Sequence, residues 1–300
     1  MKKILVTGGC GFIGSYLVDT LVAEGYSVSV LDNLSSESSS EENVNPYVKY
    51  YFGDIHNIDI ILNFEQFDEI YHLAAEARIQ PSFDQPVHWF KENALGTMKV
   101  LEYARRSKSG IVVYATTSSK THGIHHSPYT LSKVVGEEIL KMYHETYGIK
   151  CVSATFHNVY GPGEPDKGEW ATVVAKFLRQ YRNGQKLTVV GTGDQERDFT
   201  HVADICEGLM ALGDFKNWPL EIYPDGRNFD LGKGEAISII DLARYIVDGI
   251  DSKIDFVPFR KNEGQRTLAD VETTYKYFNF RANRSLFDYI NFIKQQIHKL

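Results

Sequence analysis

The sequence has few cysteines and no long apolar run. Its 300 residues contain three cysteines, Cys10, Cys151 and Cys206, which are scattered without ligand spacing. An odd, dispersed set disfavours both a disulfide framework and a zinc site, and it is typical of a reducing compartment. No 18 apolar residues follow one another, and glycines interrupt the apolar segment near the start, so neither a membrane span nor a signal peptide is expected. We therefore expect a cytoplasmic protein.

Basic residues are also too few for a polyanion partner. Lys and Arg number 32 against 39 Asp and Glu, which gives a formal net charge of -7, and the sequence has no basic cluster. Nucleic acid and membrane surfaces are therefore not expected as partners. The hydrophobic share of 43% is ordinary for a globular protein and provides a sizeable core.

Short β-branched runs alternate with amphipathic segments in the first half of the chain, which predicts βαβ units and a parallel sheet. The predicted strands are Lys3–Thr7, Ser27–Asp32, Val48–Phe52, Glu69–Ala74, Gly110–Ala115 and Lys150–Phe156. The Ser-rich stretch Ser35–Asn43 predicts a solvated loop. After about residue 157 the alternation of predicted strands and helices becomes less regular. We predict an α/β fold with a Rossmann-type doubly wound parallel sheet in residues 1–156. Residues 157–300 are expected to form a smaller α/β substrate lobe, with some segments returning to the first domain.

A glycine-rich loop, TGGCGFIGS, lies between the first strand and a helix and predicts dinucleotide binding. It contains G-x-G-x-x-G at Gly9, Gly11 and Gly14, and such glycines let a pyrophosphate approach the amides at a helix N-terminus. Asp32 closes the second strand, where a carboxylate accepts both ribose hydroxyls. The alternative is a plain glycine-rich turn with a strand-end acid. Because Asp32 is followed by Asn33 and no Arg, NAD is favoured over NADP.

Tyr129 and Lys133 lie four residues apart in a predicted helix, Tyr129–Tyr147. At this spacing they share a face, and the ammonium would stabilise a phenolate and lower its pKa, which makes a usable general base. An ordinary surface pair is the alternative, which the dinucleotide loop upstream disfavours. Thr117 and Ser118, at the end of the fifth strand, are expected at the carboxyl edge of the sheet, where ligands of open α/β folds bind.

With these motifs together, the sequence resembles the extended short-chain dehydrogenase/reductase family over nearly its whole length. Within it, the chain resembles the NAD-dependent nucleotide-sugar epimerases and dehydratases, most closely those of the UDP-glucose 4-epimerase type. The motifs that carry the resemblance are TGGCGFIG, GDI, HLAA, ENALGT, the Tyr129–Lys133 pair, HNVYGPGE, LTVVG and GTGDQERDFTHVADI.

The resemblance implies a set of site residues. The catalytic ones are Ser118, Tyr129 and Lys133. The implied NAD contacts are Gly8, Gly11, Phe12, Ile13, Gly14, Asp32, Asn33, Asp54, Ile55, Leu73, Ala74, Ala75, Asn93, Thr116, Tyr129, Lys133 and Phe156. The implied nucleotide-sugar contacts are Thr117, Ser118, Asn158, Leu187, Val189, Arg197 and Arg266. Relatives commonly pair through helices equivalent to Thr97–Tyr103 and Val134–Tyr143, so a homodimer is expected.

The resemblance also implies a reaction. Tyr129 would take the proton of the sugar's C4 hydroxyl, a 4-keto sugar would form, and hydride returned to its other face would invert C4 and restore the cofactor. Dehydratases of the family place an Asp-Glu pair after the catalytic Thr, but Ser119 and Lys120 stand here, so C4 epimerisation of a UDP-hexose is favoured. A 4,6-dehydratase, a reductase and a non-catalytic NAD-responsive regulator are the alternatives.

Several positions depart from the family pattern. Ten residues separate Ser118 from Tyr129, fewer than usual, and His122 replaces a Tyr, which predicts a more open site. Thr155 replaces an Arg. His157 replaces a Phe and leaves an opening for a 3,5-epimerase or 4-reductase. Asn262 stands where a phosphate-binding Arg is expected, with Arg260 and Lys261 as substitutes.

The histidines are interpreted as non-catalytic. No acid or cysteine completes a metal set around His122, His125 and His126, so a polar lid loop is favoured and no metal is expected. His72, on the fourth strand, is interpreted as a satisfied core or cofactor-edge histidine.

Overall fold

The structure is a computed structural model, and it describes residues 1–36, 39, 44–168, 170–219 and 222–299. Most of the Ser-rich stretch Ser35–Asn43 therefore lies outside the described residues. The strands, in chain order, are Lys3–Thr7 (β1), Ser27–Asp32 (β2), Lys49–Phe52 (β3), Glu69–His72 (β4), Ile111–Thr117 (β5), Lys150–Phe156 (β6), Val159–Tyr160 (β7), Leu187–Val190 (β8), Glu196–Asp198 (β9), Thr200–His201 (β10), Asp225–Leu231 (β11), Ala236–Ser238 (β12) and Ile254–Val257 (β13).

The α-helices alternate with these strands. They are Phe12–Ala23 (α1), Ile58–Leu62 (α2), Pro86–Trp89 (α3), Gly96–Ser107 (α4), Pro128–Tyr147 (α5), Val173–Arg182 (α6), Val202–Gly213 (α7), Ile239–Ile246 (α8), Val271–Phe278 (α9) and Leu286–Ile297 (α10). A π-helix, Phe90–Leu95, runs from α3 into α4. No helix in the described part of the chain is both long and apolar enough to cross a bilayer.

Seven strands form one parallel sheet in the order β11-β6-β5-β4-β1-β2-β3. The strand order reverses between β1 and β4, and the carboxyl edge at such a switch point is where open α/β sheets bind ligands. The prediction of a doubly wound parallel sheet is confirmed. The predicted bounds of β1, β2 and β6 match the structure, and β5 extends two residues further than expected, to Thr117.

Alternate residues of the strands supply two cores. On one face Ile4 and Val6 pack with α1 and with Leu209 of α7. On the other face Leu5 packs with Leu101 of α4 and Leu140 of α5. The apolar stripes expected for a dimer thus lie within this core, and a homodimer stays a prediction. Both α7 and β11 come from the second half of the chain, so segments beyond residue 157 complete the large sheet and its cover.

The rest of the second half forms its own small core. Phe177 of α6, Leu187 of β8, Leu242 of α8 and Ile290 of α10 are fully or nearly fully buried together. Three two-stranded pairs, β7-β10, β9-β12 and β8-β13, also belong to the second half of the chain. The lobe faces the switch point across a cleft.

Candidate active site

A cleft of about 530 Å³ opens between the carboxyl edge of the large sheet and the second lobe. It gathers most of the residues named from the sequence. Those lining it are Gly8, Gly11, Phe12, Ile13, Gly14, Asp32, Asn33, Ile55, Leu73, Ala74, Ala75, Thr116, Thr117, Ser118, Tyr129, Lys133, Phe156, Asn158 and Arg197. Asp54, Asn93, Leu187, Val189 and Arg266 do not line it.

The glycine loop forms a close-packed cradle at the β1 end. Gly8 has a φ of +75° and a Cβ there would come within 2.7 Å of the Ala74 amide nitrogen. A Cβ on Gly14 would lie 2.0 Å from the Gly8 carbonyl oxygen. Only glycine fits both positions, and the loop leads directly into the N-terminus of α1. The cradle therefore fits a dinucleotide pyrophosphate.

Asp32 lies at the end of β2, beside this cradle, and is 5% exposed. Its Oδ2 accepts a hydrogen bond from the Cys10 amide at 2.9 Å, and its Oδ1 accepts one from the Leu34 amide at 2.8 Å. These bonds fix the carboxylate at the wall of the cleft, and none of the described residues forms an ion pair with it. The acid fits the ribose end of a dinucleotide.

Two residues predicted to contact the cofactor, Asn93 and Asp54, do not line the cleft. Asn93 is 1% exposed, accepts a bond from the Glu76 amide at 2.8 Å and donates one to Ser132 Oγ at 2.9 Å. Asp54 caps a short 3₁₀ helix by accepting from the His56 amide at 2.8 Å. Contact of either residue with the cofactor stays a prediction. Asn93 joins the loop after β4 to α5, and Asn33 Nδ2 is 3.4 Å from Asp54 Oδ2.

Helix α5 presents Tyr129 and Lys133 to the cleft on successive turns. The helix begins at Pro128 because the Ser127 hydroxyl accepts a bond from the Thr130 amide at 3.0 Å, and a proline at the first position loses no helical bond. Lys133 is 3% exposed, and its ammonium lies 4.6 Å from the centre of the Tyr114 ring. The two side chains therefore share one wall, as their spacing predicts.

The protonation state of this pair differs from the expectation. Burial raises the pKa of Tyr129, and a hydrogen bond with Thr117 and the charge of Arg78 only partly oppose this rise. Burial also lowers the pKa of Lys133 to about 7, against the opposing charge of Glu137. The prediction that the pKa of Tyr129 is lowered is wrong, because desolvation of the phenol outweighs the nearby charges. The hydroxyls of Thr117 and Ser118 both line the same cleft as Tyr129.

The two residues after Ser118 interact with α5. Ser119 Oγ lies 2.8 Å from Thr130 Oγ1. Lys120 Nζ lies 2.6 Å from Glu137 Oε1, which also accepts a bond from the Thr116 hydroxyl at 2.5 Å. These positions therefore present no carboxylate to the cleft.

A second cavity of about 210 Å³ adjoins the cleft inside the second lobe. Thr188 and Val190 of β8 line it, whereas Leu187 and Val189 are fully buried on the other face of the strand. Successive side chains of a strand point to opposite faces, so Leu187 and Val189 do not line this cavity, and their assignment to the base pocket stays a prediction.

The arginines of the second lobe are divided between the cleft and the surface. Arg197 and Arg260 line both cavities. Arg197 pairs with Glu263 at 2.9 Å. Arg266 pairs with Glu196 at 2.8 Å, and its side chain is 59% exposed, so its assignment to the substrate site is not supported. Of the two residues predicted to substitute for an Arg at position 262, Arg260 lines the cleft and Lys261 does not.

The loop that contains His122, His125 and His126 contacts the second lobe. His122 lines the cleft, its ring lies 5.2 Å from that of His126, and burial lowers its pKa. Asn262 Nδ2 donates to the His126 carbonyl at 2.6 Å. His157 is fully buried, with its Nε2 3.3 Å from Asp230 Oδ2, and lines neither cavity. His72 is 1% exposed between Thr7 and Thr97, at 2.8 and 3.1 Å.

Among the described residues, the His and acid atoms that come within metal-ligand reach of one another belong to Asp54, His56 and Glu92. The residues on which the sequence analysis focused, His122, His125 and His126, are not part of this group. His56 Nε2 lies 3.2 Å from Glu92 Oε2, so two of the three residues are hydrogen-bonded to each other.

Comparison with known proteins identifies the family. Residues 4–219 match the NAD dependent epimerase/dehydratase family. The chain belongs to this family. Its cofactor is accordingly NAD, which the glycine cradle and Asp32 fit. The family includes both epimerases and dehydratases, so membership alone leaves the reaction open.

Individual members of the family align over nearly the whole chain. A Methanocaldococcus jannaschii protein, provisionally named a UDP-glucose 4-epimerase, is 34% identical over 287 residues that cover 90% of each chain. The UDP-glucose 4-epimerase of Thermotoga maritima, solved with UDP-glucose, is 27% identical with a TM-score of 0.89 over 99% of both chains. The Thermus thermophilus UDP-glucose 4-epimerase complex with NAD is 27% identical with a TM-score of 0.85 over 99% of both chains.

Proposed function

We propose that this protein is an NAD-dependent epimerase that inverts C4 of a nucleotide sugar, with a UDP-hexose as the expected substrate. Tyr129 and Lys133 carry this assignment, because they line the same cleft as the glycine cradle and the hydroxyls of Thr117 and Ser118. A phenol, a hydroxyl and an ammonium at one wall are suited to moving a proton to and from an alcohol.

In the proposed mechanism, the phenolate form of Tyr129, which burial disfavours, accepts the proton of the C4 hydroxyl and later returns it. Thr117 and Ser118, which line the same cleft as Tyr129, hold the sugar oxygen and the phenol together. Lys133 in its charged form favours the phenolate. NAD⁺ bound in the cleft supplies a hydride acceptor that can also return the hydride to the sugar.

The second lobe is suited to hold the nucleotide while the sugar turns. Arg197 and Arg260 supply positive charge at the junction of the two cavities, where a diphosphate would lie. Thr188 and Val190 line the smaller cavity, which we assign to the nucleoside. An anchored nucleotide leaves the sugar free to present either face of C4 to the cofactor side.

The local structure after Ser118 favours epimerisation over 4,6-dehydration. Dehydration needs an acid and a base at C5 and C6 in addition to the C4 chemistry. Here the Ser119 hydroxyl bonds to Thr130 and Lys120 pairs with Glu137. The buried position of His157 likewise gives it no access to the sugar.

The test follows a panel of UDP-, dTDP-, GDP- and CDP-sugars by NMR in deuterated water, without added NADH. We expect a C4 epimer with no ring deuterium, because the hydride is transferred internally. Accumulation of a 4-keto-6-deoxy sugar, or deuterium at C3 or C5, would contradict the assignment. A regulator would give no product with any sugar.

A further inference from the structure

The loop after β5 packs against the second lobe beside the cleft, and this contact has no role in the mechanism above. His122 lies in this loop and lines the cleft. A Cβ on Gly264 would lie 2.1 Å from His122 Nε2 and 2.3 Å from His122 Cδ2. The imidazole ring therefore packs directly against the backbone of Gly264, which is buried.

Two further contacts hold the same segment of the second lobe against the first lobe. Asn262 Nδ2 donates to the His126 carbonyl at 2.6 Å, and the φ of Asn262 is +51°, a conformation that asparagine adopts more readily than most residues. Gln80 Nε2 donates to the Lys261 carbonyl at 2.9 Å. The position of this segment therefore depends on contacts that cross between the lobes.

The same segment supplies charged residues to the substrate side. Arg260 and Glu263 line both the cleft and the smaller cavity. Glu263 pairs with Arg197 at 2.9 Å, and the Arg197 guanidinium also donates to the Gln265 carbonyl at 3.4 Å. Gly264 lies between Glu263 and Gln265 in the chain, so a displacement of Gly264 would move both partners of Arg197.

The ring of His122 is suited to hold Gly264 in place by its shape. His122 ends a short 3₁₀ helix, Ser118–His122, and its ring lies 5.2 Å from the ring of His126. Burial and the nearby charges of His126 and Arg197 lower its pKa, so the ring is neutral near neutral pH. A neutral planar ring is thus packed between His126 and the backbone of Gly264.

We infer that His122 is a positioning residue for the nucleotide sugar, because its ring, packed against Gly264, holds Arg260 and Glu263 in place on the substrate side. His122 then acts through the second lobe and takes no part in proton transfer. The inference rests on the proposed function, since it treats Arg260 and Glu263 as part of the nucleotide-sugar site. Supporting contacts of this kind decide how precisely a binding site is held.

The experiment disturbs the contact from either side and measures binding and turnover separately. Calorimetric titration of NAD-loaded protein with UDP, dTDP, GDP and CDP identifies the nucleotide that binds most tightly, and steady-state kinetics use the best sugar. His122→Ala and Gly264→Ala should each weaken nucleotide binding and raise KM about tenfold, and each should leave kcat within about threefold. The φ of Gly264 lies outside the left-handed region, so the alanine adds crowding without backbone strain.

The double variant gives the sharpest result. The three atoms nearest to a Cβ on Gly264 all belong to the His122 ring. The combination of His122→Ala with Gly264→Ala should therefore bind no more weakly than His122→Ala alone. His122→Phe keeps a planar ring and should retain most of the affinity. His125→Ala is the control, because His125 is exposed and lines neither cavity, and it should match the unaltered protein.

Three results would overturn the inference. Additive losses in the double variant would mean that the ring and Gly264 act separately. A fall in kcat with KM unchanged would mean that the ring acts on the catalytic pair. Binding by His122→Phe that is as weak as binding by His122→Ala would assign the effect to the ring nitrogens rather than to the shape of the ring.

Turnover separates this inference from the proposed function. If nucleotide binding follows the expected pattern but no sugar is epimerised, the proposed reaction fails and the role of His122 stands. If a sugar is epimerised at C4 but its KM is the same in His122→Ala and the unaltered protein, the reaction stands and the role of His122 is refuted. Failure of all four nucleoside diphosphates to bind would overturn both.

Discussion

The two sides of the cleft are built in different ways. On the cofactor side, the glycine cradle and Asp32 lie at the carboxyl ends of adjacent strands of one buried sheet. On the substrate side, Thr188, Arg197 and Arg260 come from short two-stranded pairs and the segments that follow them. The first side is fixed by a single topology, whereas the second depends on the register of small separate elements.

This difference explains why the two sides tolerate different changes. In the cradle the backbone itself forms the ligand wall, so any added side chain collides with it. Along β8 the side chains form the wall, so only alternate residues matter to a ligand. Function on the cofactor side should therefore be lost through backbone crowding, and on the substrate side through the shape and charge of single side chains.

Replacing Tyr129, which lies between the cofactor side and the substrate side, should have the largest effect on turnover. Tyr129→Phe removes the proton acceptor and should lower kcat about 10²- to 10⁴-fold, the usual contribution of general acid-base catalysis. NAD retention and thermal stability should change little, because the hydroxyl is the only atom removed. Substantial turnover by this variant, measured by NMR with the best sugar, would exclude Tyr129 as the base.

The sequence was most informative where local pattern and topology agree. The bounds of β1, β2 and β6 and the Tyr129–Lys133 face follow from alternation and helical spacing, and they match the structure. The pKa of Tyr129 could not be predicted, because it depends on burial by distant segments.

The substrate side was harder to predict because its residues leave no local signature. The pattern around Leu187 and Val189 predicts a strand beside the substrate pocket. Which face of β8 lines the cavity depends on tertiary packing, which the pattern does not specify. Arg78, which lines both cavities, is a single basic residue in a loop. Its position just beyond β4, at the carboxyl edge of the sheet, was the available signal.

A substitution that crowds the glycine cradle should have the next largest effect, a loss of NAD affinity. Gly14→Ala places a Cβ 2.0 Å from a backbone oxygen that cannot move aside, so we expect NAD affinity to fall about 10- to 100-fold, as for an overpacked site. Gly25→Ala is the control, since its Cβ meets nothing within 4 Å and only its φ of +80° is strained. The control should lose some thermal stability and keep its NAD, measured by mass analysis. Equal NAD loss in both variants would refute the crowding account.

Two residues on opposite faces of β8 test which face of this strand meets the substrate. Val190→Phe projects a ring into the 210 Å³ cavity and should raise KM for the nucleotide sugar about tenfold, with NAD affinity unchanged. Leu187→Ala removes a fully buried side chain on the opposite face. It should lower the free energy of unfolding by about 2–5 kcal/mol and leave KM nearly unchanged. The reverse pattern in steady-state kinetics and denaturant titration would show that Leu187 faces the ligand.

The smallest expected effect concerns the charge of Lys133. Glu137 opposes the burial that lowers the pKa of Lys133 to about 7, so Glu137→Gln should lower that pKa further. The ammonium is present below its pKa and lost as pH rises through it, so the alkaline limb of kcat/KM should move to lower pH. A fall of about one unit, equivalent to about 1.4 kcal/mol, would reduce charged Lys133 severalfold at pH 7.5 and less than about twofold at pH 6.

Glu138→Gln provides the matched control for that shift. It removes the same charge from the next residue of α5, whose side chain is 63% exposed and pairs with Lys141. Because solvent screens an exposed charge, its pH profile should coincide with that of the unaltered protein. If Glu137→Gln also leaves the alkaline limb in place, the ammonium of Lys133 does not govern it. If both variants move the limb equally, the cause is net charge rather than the buried contact at Glu137. A shift confined to Glu137→Gln would show that this buried acid, one helical turn beyond Lys133, sets the pH range in which the catalytic pair works.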